Sequence, residues 1–332
     1  MLDFAASSRN VFGIIAFSSL VACAAPTGEG GSEPASQDAD FTAREGYAAI
    51  DNARGGVYVS VAVSGKRAFL GDNRSAIDIV DLSKMKKTGT VEGRIPSESL
   101  SVAGNVLVAC GDRDDQPLGW DALYGASDRN YIITVLDAKT GAKKREIALR
   151  LQRYLESSTR GGFIDLPSMS CQLSADAKRI TVSFSQAQLE DEIVSFDLPS
   201  EPVSYDFTDI PGATRVRVGS VRENTINGFS ESERGLTYAA GGYGVRRVAP
   251  GASSFATIRD EGREHMVGVA ERADRLFAAD HGGALRVLDA DSGAELEALE
   301  IDDWLEGVTW SNGLVVVVGR GGLFVARDRW TR

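Results

Sequence analysis

The sequence predicts an all-β protein built as a β-propeller, and three observations carry that expectation. Short strands follow one another in fours with turn residues between them, the four-strand unit recurs down the chain, and several of its third strands end on the same Asp-bounded pattern. The clearest unit runs from Val57 to Gly93. Val57, Val59, Val61 and Val63 alternate with Tyr58, Ser60 and Ala62, the period-2 signature of a strand. After the turn Ser64-Gly65-Lys66 the sequence predicts a second strand from Arg67 to Gly71, a polar break at Asp72-Asn73-Arg74, a third strand from Ala76 to Asp81 and a fourth from Gly89 to Gly93. A sheet of four such strands cannot hide both faces alone, so it must stack on copies of itself.

The copies line up on Val61, Val102, Cys171, Gly228, Gly268 and Gly307. Three of the intervals match the roughly 40 to 50 residues of a propeller blade, and the two longer ones have visible causes. A loop from Asp112 to Asn130 separates the second and third strands of the second copy, and the Arg-, Ser- and Gly-rich stretch Arg150 to Ser168 lengthens the approach to the third. Blades are therefore expected at about residues 51–93, 94–149, 150–209, 210–260, 261–300 and 301–332. The sixth copy supplies three strands, Leu305 to Trp310, Leu314 to Val318 and Leu323 to Arg327. An open ring would leave an unpaired edge, so the sequence predicts that Gly46 to Ile50 pairs with the last blade and closes it. Six four-stranded blades are the leading count and seven the alternative.

The third strands read Ile77-Asp78-Ile79-Val80-Asp81, Ile133-Thr134-Val135-Leu136-Asp137, Ile193-Val194-Ser195-Phe196-Asp197 and Leu285-Arg286-Val287-Leu288-Asp289. The closing Asp can accept bonds from turn N–H groups, and Gly141 and Gly293 can supply a positive φ to the hairpin. With Ala62-Val63-Ser64-Gly65 leading into Ile77 to Ser83, this pattern resembles the bacterial LVIVD-type and YVTN-type β-propeller repeats. Asp137-Ala138-Lys139-Thr140-Gly141 and Asp289-Ala290-Asp291-Ser292-Gly293 look like turns of quinoprotein-like blades. The resemblance covers residues 46–332, departs in blade four at Val248-Ala249-Pro250 and in blade six at Ala326-Arg327-Asp328, and implies architecture rather than activity.

Residues ahead of the repeats read as a targeting segment. Val11 to Ala22 is an apolar run of export-signal length, too short for an ordinary membrane-spanning helix. It ends in Leu20-Val21-Ala22-Cys23, which resembles a bacterial lipobox, so residues 1–22 are expected to be a signal peptide and Cys23 to carry lipid. By the same resemblance, Ala24 favours the outer membrane. Residues 23–40 form a Gly-, Ser-, Pro- and acid-rich tether, able to hold a domain at 41–332 on the order of 20 to 25 Å from the membrane. A net charge of −11 argues against nucleic acid, which needs a basic stripe. Cys110 and Cys171 fall in strands of successive blades; since facing sheets lie about 10 Å apart, two buried thiols are expected and a disulfide is the alternative.

Candidate chemistry gathers on the face made by inter-blade connections and by the turns between second and third strands. That face is expected to carry Asp72, Arg74, Arg113, Asp115, Trp120, Tyr124, Tyr243, His265, His281, Trp304, Glu306 and Arg320. His265 and His281, with Asp280 or Glu264, have the chemistry of a divalent-metal site, although no short ligand spacing joins them. No nucleophile elbow, P-loop or Cys/His metal motif is present, so no cofactor is called for and no catalytic residue is assigned. The leading functional expectation is a lipid-anchored periplasmic propeller that binds or scaffolds a protein or peptide at the cell envelope. The alternative is a lactonase-like hydrolase with a divalent cation in the channel, for which Asp280, Glu306 and Asn227 are candidate ligands. A quinone-dependent dehydrogenase is a weaker third, lacking a recognisable stacking tryptophan and calcium cluster.

Overall fold

A computed structural model of the chain describes residues 44–53, 55–112, 130–150, 168–185, 192–217, 225–232, 234–241, 244–252, 254–260, 265–301 and 304–331. They belong to one compact unit, Asp40–Arg332. Within it the strands form six small sheets, antiparallel but for one strand added in parallel at an edge, and the six-blade expectation holds.

The first strand, β1 (Gly46–Ala49), belongs to the last blade. Blade one follows with β2 (Tyr58–Ser64), β3 (Arg67–Asp72), β4 (Ile77–Asp81) and β5 (Lys86–Val91). Blade two contains β6 (Ser99–Ala103), β7 (Val106–Asp112), β8 (Asn130–Asp137) and β9 (Lys143–Arg150). Blade three has β10 (Ser168–Leu173), β11 (Arg179–Ser185) and β12 (Glu192–Asp197). The chain then lends β13 (Val203–Asp206) to blade two before returning with β14 (Thr214–Arg217) as the outer strand of blade three. Blade four is β15 (Thr225–Ser232), β16 (Gly235–Gly241), β17 (Gly244–Val248) and β18 (Phe255–Arg259). Blade five is β19 (Met266–Arg272), β20 (Arg275–Asp280), β21 (Ala284–Asp289) and β22 (Glu295–Glu300). Blade six is β23 (Leu305–Ser311), β24 (Leu314–Gly319) and β25 (Gly322–Arg327), completed by β1.

The ring closes as expected. Gly46 pairs with Val325 and Ala49 with Gly322, and the Ile50 N–H donates to the Gly321 carbonyl at 2.8 Å. Each innermost strand packs on the next, β2 on β6, β10, β15, β19, β23 and back to β2. Between blades lie the apolar clusters the stacking was expected to bury; one joins Ile50, Val61 and Leu82 to Val316 and Leu323, bringing both ends of the domain together.

Two expectations are corrected. The outer strand of blade three lies at Thr214–Arg217, beyond the boundary expected at residue 209, because the intervening β13 adds in parallel to the edge of blade two, Val203 opposite Ile147. This shields an edge that would otherwise stand open. Phe207, just after β13, anchors the excursion: it is buried and meets Phe184 edge-on at 4.8 Å. Cys110 and Cys171, expected as thiols, form a disulfide with their Cα atoms 6.4 Å apart. The 10 Å spacing of facing sheets does not hold near the axis, where blades converge and β7 packs on β10.

The turn chemistry is as read. Asp137 accepts the N–H groups of Lys139 and Thr140, Asp289 those of Asp291 and Ser292, and Asp81 those of Ser83 and Lys84. Gly141 and Gly293 take φ of 73° and 68°.

Candidate functional site

The innermost strands line a central channel with a cavity of about 310 Å3. At one mouth it meets a second cavity of about 360 Å3, and the way residues reach that mouth repeats around the ring. In β2, β15, β19 and β23 the pairing register skips one residue, and the skipped residues are Val59, Asn227, Val267 and Glu306. A β-bulge re-aims the extra side chain, and all four line the mouth. Immediately after each comes a small residue: Ser60, Gly228, Gly268 or Gly307. Glu98-Ser99 and Met169-Ser170 hold the corresponding places in blades two and three, and Glu98, Met169 and Ser170 also line the mouth.

Of the residues the sequence singled out, Asp72, His265, His281, Glu306 and Asn227 come together around this cavity. Trp304 and Arg320 join them through ring contacts. The imidazoles of His265 and His281 stack at 5.0 Å with planes 15° apart, the indole of Trp304 lies 4.8 Å from His281, and the Arg320 guanidinium sits 5.7 Å from the centre of Trp304. Trp304 remains 41% exposed. Its Nε1–H donates to Glu306 Oε1, while Glu306 Oε2 lies 3.5 Å from His281 Nε2. Partial loss of hydration, reinforced by the neighbouring His281 ring, pushes the His265 pKa below the ordinary imidazole value against the opposing pull of Glu306.

Other candidates hold the scaffold. Asp72 is buried and accepts the N–H groups of Arg74 and Ala76, with Asn52 Nδ2 at 3.2 Å. Asp280, its counterpart at the end of β20, accepts the Ala284 N–H at 3.1 Å and pairs with Arg286 at 2.9 Å. Both aspartates close the turn between second and third strands through an N–H four residues on. Asn227 donates to the Met266 carbonyl at 2.7 Å, stitching blade four to blade five. Arg74 lies in the Asp72 turn. Arg113, Asp115, Trp120, Tyr124, Tyr243, Glu264 and Cys23 lie outside the described residues.

Sequence reasoning missed Glu98. Its two carboxylate oxygens accept the Asp112 N–H at 3.1 Å and the Met169 N–H at 3.0 Å, joining blades two and three at the mouth. The signal was present: Glu98-Ser99 stands in its repeat where Glu306-Gly307 stands in blade six.

Among the described residues, no three His, Cys, Asp or Glu side chains already converge as a metal cluster, and no helix is long and apolar enough to cross a membrane. No model of a known protein family matches the chain, and no curated protein sequence matches it.

Proposed function

We propose that this protein is an envelope-anchored β-propeller that captures a protein or peptide partner at the channel mouth formed by the bulged inner strands. The observation that carries the reading is convergence. A carboxylate, two imidazoles, an exposed indole and a guanidinium from blades five and six gather beside one polar cavity, and exposed aromatic and Arg side chains are the groups that dominate protein recognition. A rigid ring presenting an irregular rim suits such a role. The Cys110–Cys171 bridge is in keeping with an oxidising compartment and so with export. Lipid attachment at Cys23, the periplasmic face of the outer membrane and the kinship with LVIVD-type repeats rest on the sequence motifs.

The test compares pull-downs from envelope extracts using the intact chain and a Trp304→Ala/Arg320→Glu variant. Partners retained by the intact chain and lost by the variant, with the thermal transition unchanged, are expected; identical partner sets contradict the reading. Growth with a labelled fatty acid tests the anchor, the label being expected on the native chain and absent from Cys23→Ser.

A further inference from the structure

We propose that His265, His281 and Glu306 form a binding site for one divalent transition-metal ion of the zinc class at the rim of blades five and six. The chain has two histidines in all, and the fold places them ring against ring. They are cross-strand neighbours: the pairing of β19 with β20 continues past Met266 and Asp280, and the His281 N–H donates to the His265 carbonyl at 3.0 Å. Facing side chains on paired strands start close enough to share a ligand.

The third donor comes from the next blade. His281 Nε2 and Glu306 Oε2 are 3.5 Å apart, which is long for a hydrogen bond. Two donors held at about 2.1 Å by one tetrahedral ion stand roughly 3.4 Å apart, so this pair already stands at the separation such an ion needs. Trp304 holds the carboxylate in place: its Nε1–H occupies Oε1 and leaves Oε2 towards the imidazole. Outer contacts of this kind orient metal ligands. The site is half assembled. His281 and Glu306 form the standing pair; no three ligands already converge among the described residues, so His265 must turn out of its stack to complete the set.

Two imidazoles with one carboxylate select zinc, cobalt, nickel or copper over calcium and magnesium, which want more oxygen donors. A fourth coordination position would face the mouth cavity, whose lining includes Asp72, Glu98 and Asp112 but neither lysine nor arginine. Of the ligands expected from sequence the site keeps Glu306; Asp280 is committed to Ala284 and Arg286, and Asn227 to the Met266 carbonyl. It stands independently of partner capture, which does not require a metal.

The experiment uses the full chain, prepared without a histidine tag, stripped with chelator and labelled with 15N at histidine. Because there are only two imidazoles, their spin systems report the site without any substitution. Zinc is expected to shift both into the metal-bound form at one ion per chain, with calcium at the same concentration leaving them unmoved. Glu306→Gln and Trp304→Phe are each expected to weaken zinc binding at least about tenfold. Unmoved imidazoles, a shift of only one of them, an equal response to calcium, or unchanged affinity in Glu306→Gln would each overturn the proposal.

Discussion

Blades one to three and blades four to six solve the same problem differently. At the small position that follows each mouth residue, the first half of the ring carries serine and the second half glycine. Ser60 Oγ donates to the Ser97 carbonyl at 2.7 Å, Ser170 Oγ to the Ile226 carbonyl at 2.8 Å, and Ser99 Oγ accepts the Cys171 N–H at 3.0 Å. Each hydroxyl reaches across to the backbone of the next blade. Gly268, by contrast, lies so close to its neighbour that an added Cβ would come within 2.9 Å of Val308 N and 3.1 Å of Gly307 Cα. The first half is laced by these hydrogen bonds and fastened by the disulfide and β13; in the second half, close backbone approach at Gly268 joins blades five and six, while a buried Arg247–Glu271 pair at 2.9 Å and the Asn227 bond to Met266 join blades four and five. One fold therefore tolerates two kinds of seam, provided each blade still hides its apolar faces.

The comparison can be broken at its largest member. Phe207→Ala should cost about 3 to 5 kcal/mol in denaturant unfolding, because the ring that ties β13 to blades two and three is fully enclosed. Cys110→Ala/Cys171→Ala should cost about 2 to 4 kcal/mol, with reduction of the native chain reproducing the loss, since the bridge spans 61 residues of sequence. Gly268→Ala should cost about 1 to 3 kcal/mol through overpacking, whereas Ser60→Gly, the reciprocal change, should cost only about 1 kcal/mol for the lost hydrogen bond. If Gly268→Ala proves neutral, close approach is not what holds blade five against blade six.

The smallest effect should be shared by both halves. Hydrogen bonds hold the pKa values of Asp81, Asp137 and Asp289 below the ordinary carboxylate value, led by the Ser83 hydroxyl, the Thr140 N–H and the Ser292 N–H respectively. A group depressed in the folded state stabilises it above its unfolded pKa, and that contribution fades as pH falls below about 4. Thermal transitions followed from neutral to acid pH should decline there, and Asp137→Asn should flatten the decline more than Asp289→Asn, because Asn105 and Lys144 also bond the Asp137 carboxylate. An equal or larger change in Asp289→Asn would mean that the Asn105 and Lys144 contacts add nothing to the turn.

Where each blade repeats a local rule, the rule was readable in the sequence. Alternating valines, Asp-bounded third strands and hairpin glycines marked the strands, and the missing fourth strand of blade six pointed to Gly46 to Ile50. Long-range choices were not readable. Nothing local in Val203 to Asp206 says that it will pair with Ile147, and convergence near the axis, which permits the disulfide, is a property of the closed ring. The inner-strand alignment also drifted: Val61, Val102 and Cys171 were matched to the glycines, whereas the hairpin registers and inter-blade bonds assign Ser60, Ser99 and Ser170. Small residues of two chemistries occupy one role, and an alignment by apolar pattern passes over them. That drift hid Glu98. His265, His281 and Glu306 were legible on one face, but the contact of Glu306 with His281 was not, because Glu306 arrives from the following blade.

The mouth exists only because the ring is shut, and hydrogen exchange at Gly46–Ile50 tests that claim most directly. The account predicts that the paired amides of this segment are protected as strongly as those of Gly322–Arg327 and lose protection together with them as denaturant is raised. Exchange at unstructured-chain rates in 46–50 while blade six stays protected would contradict it.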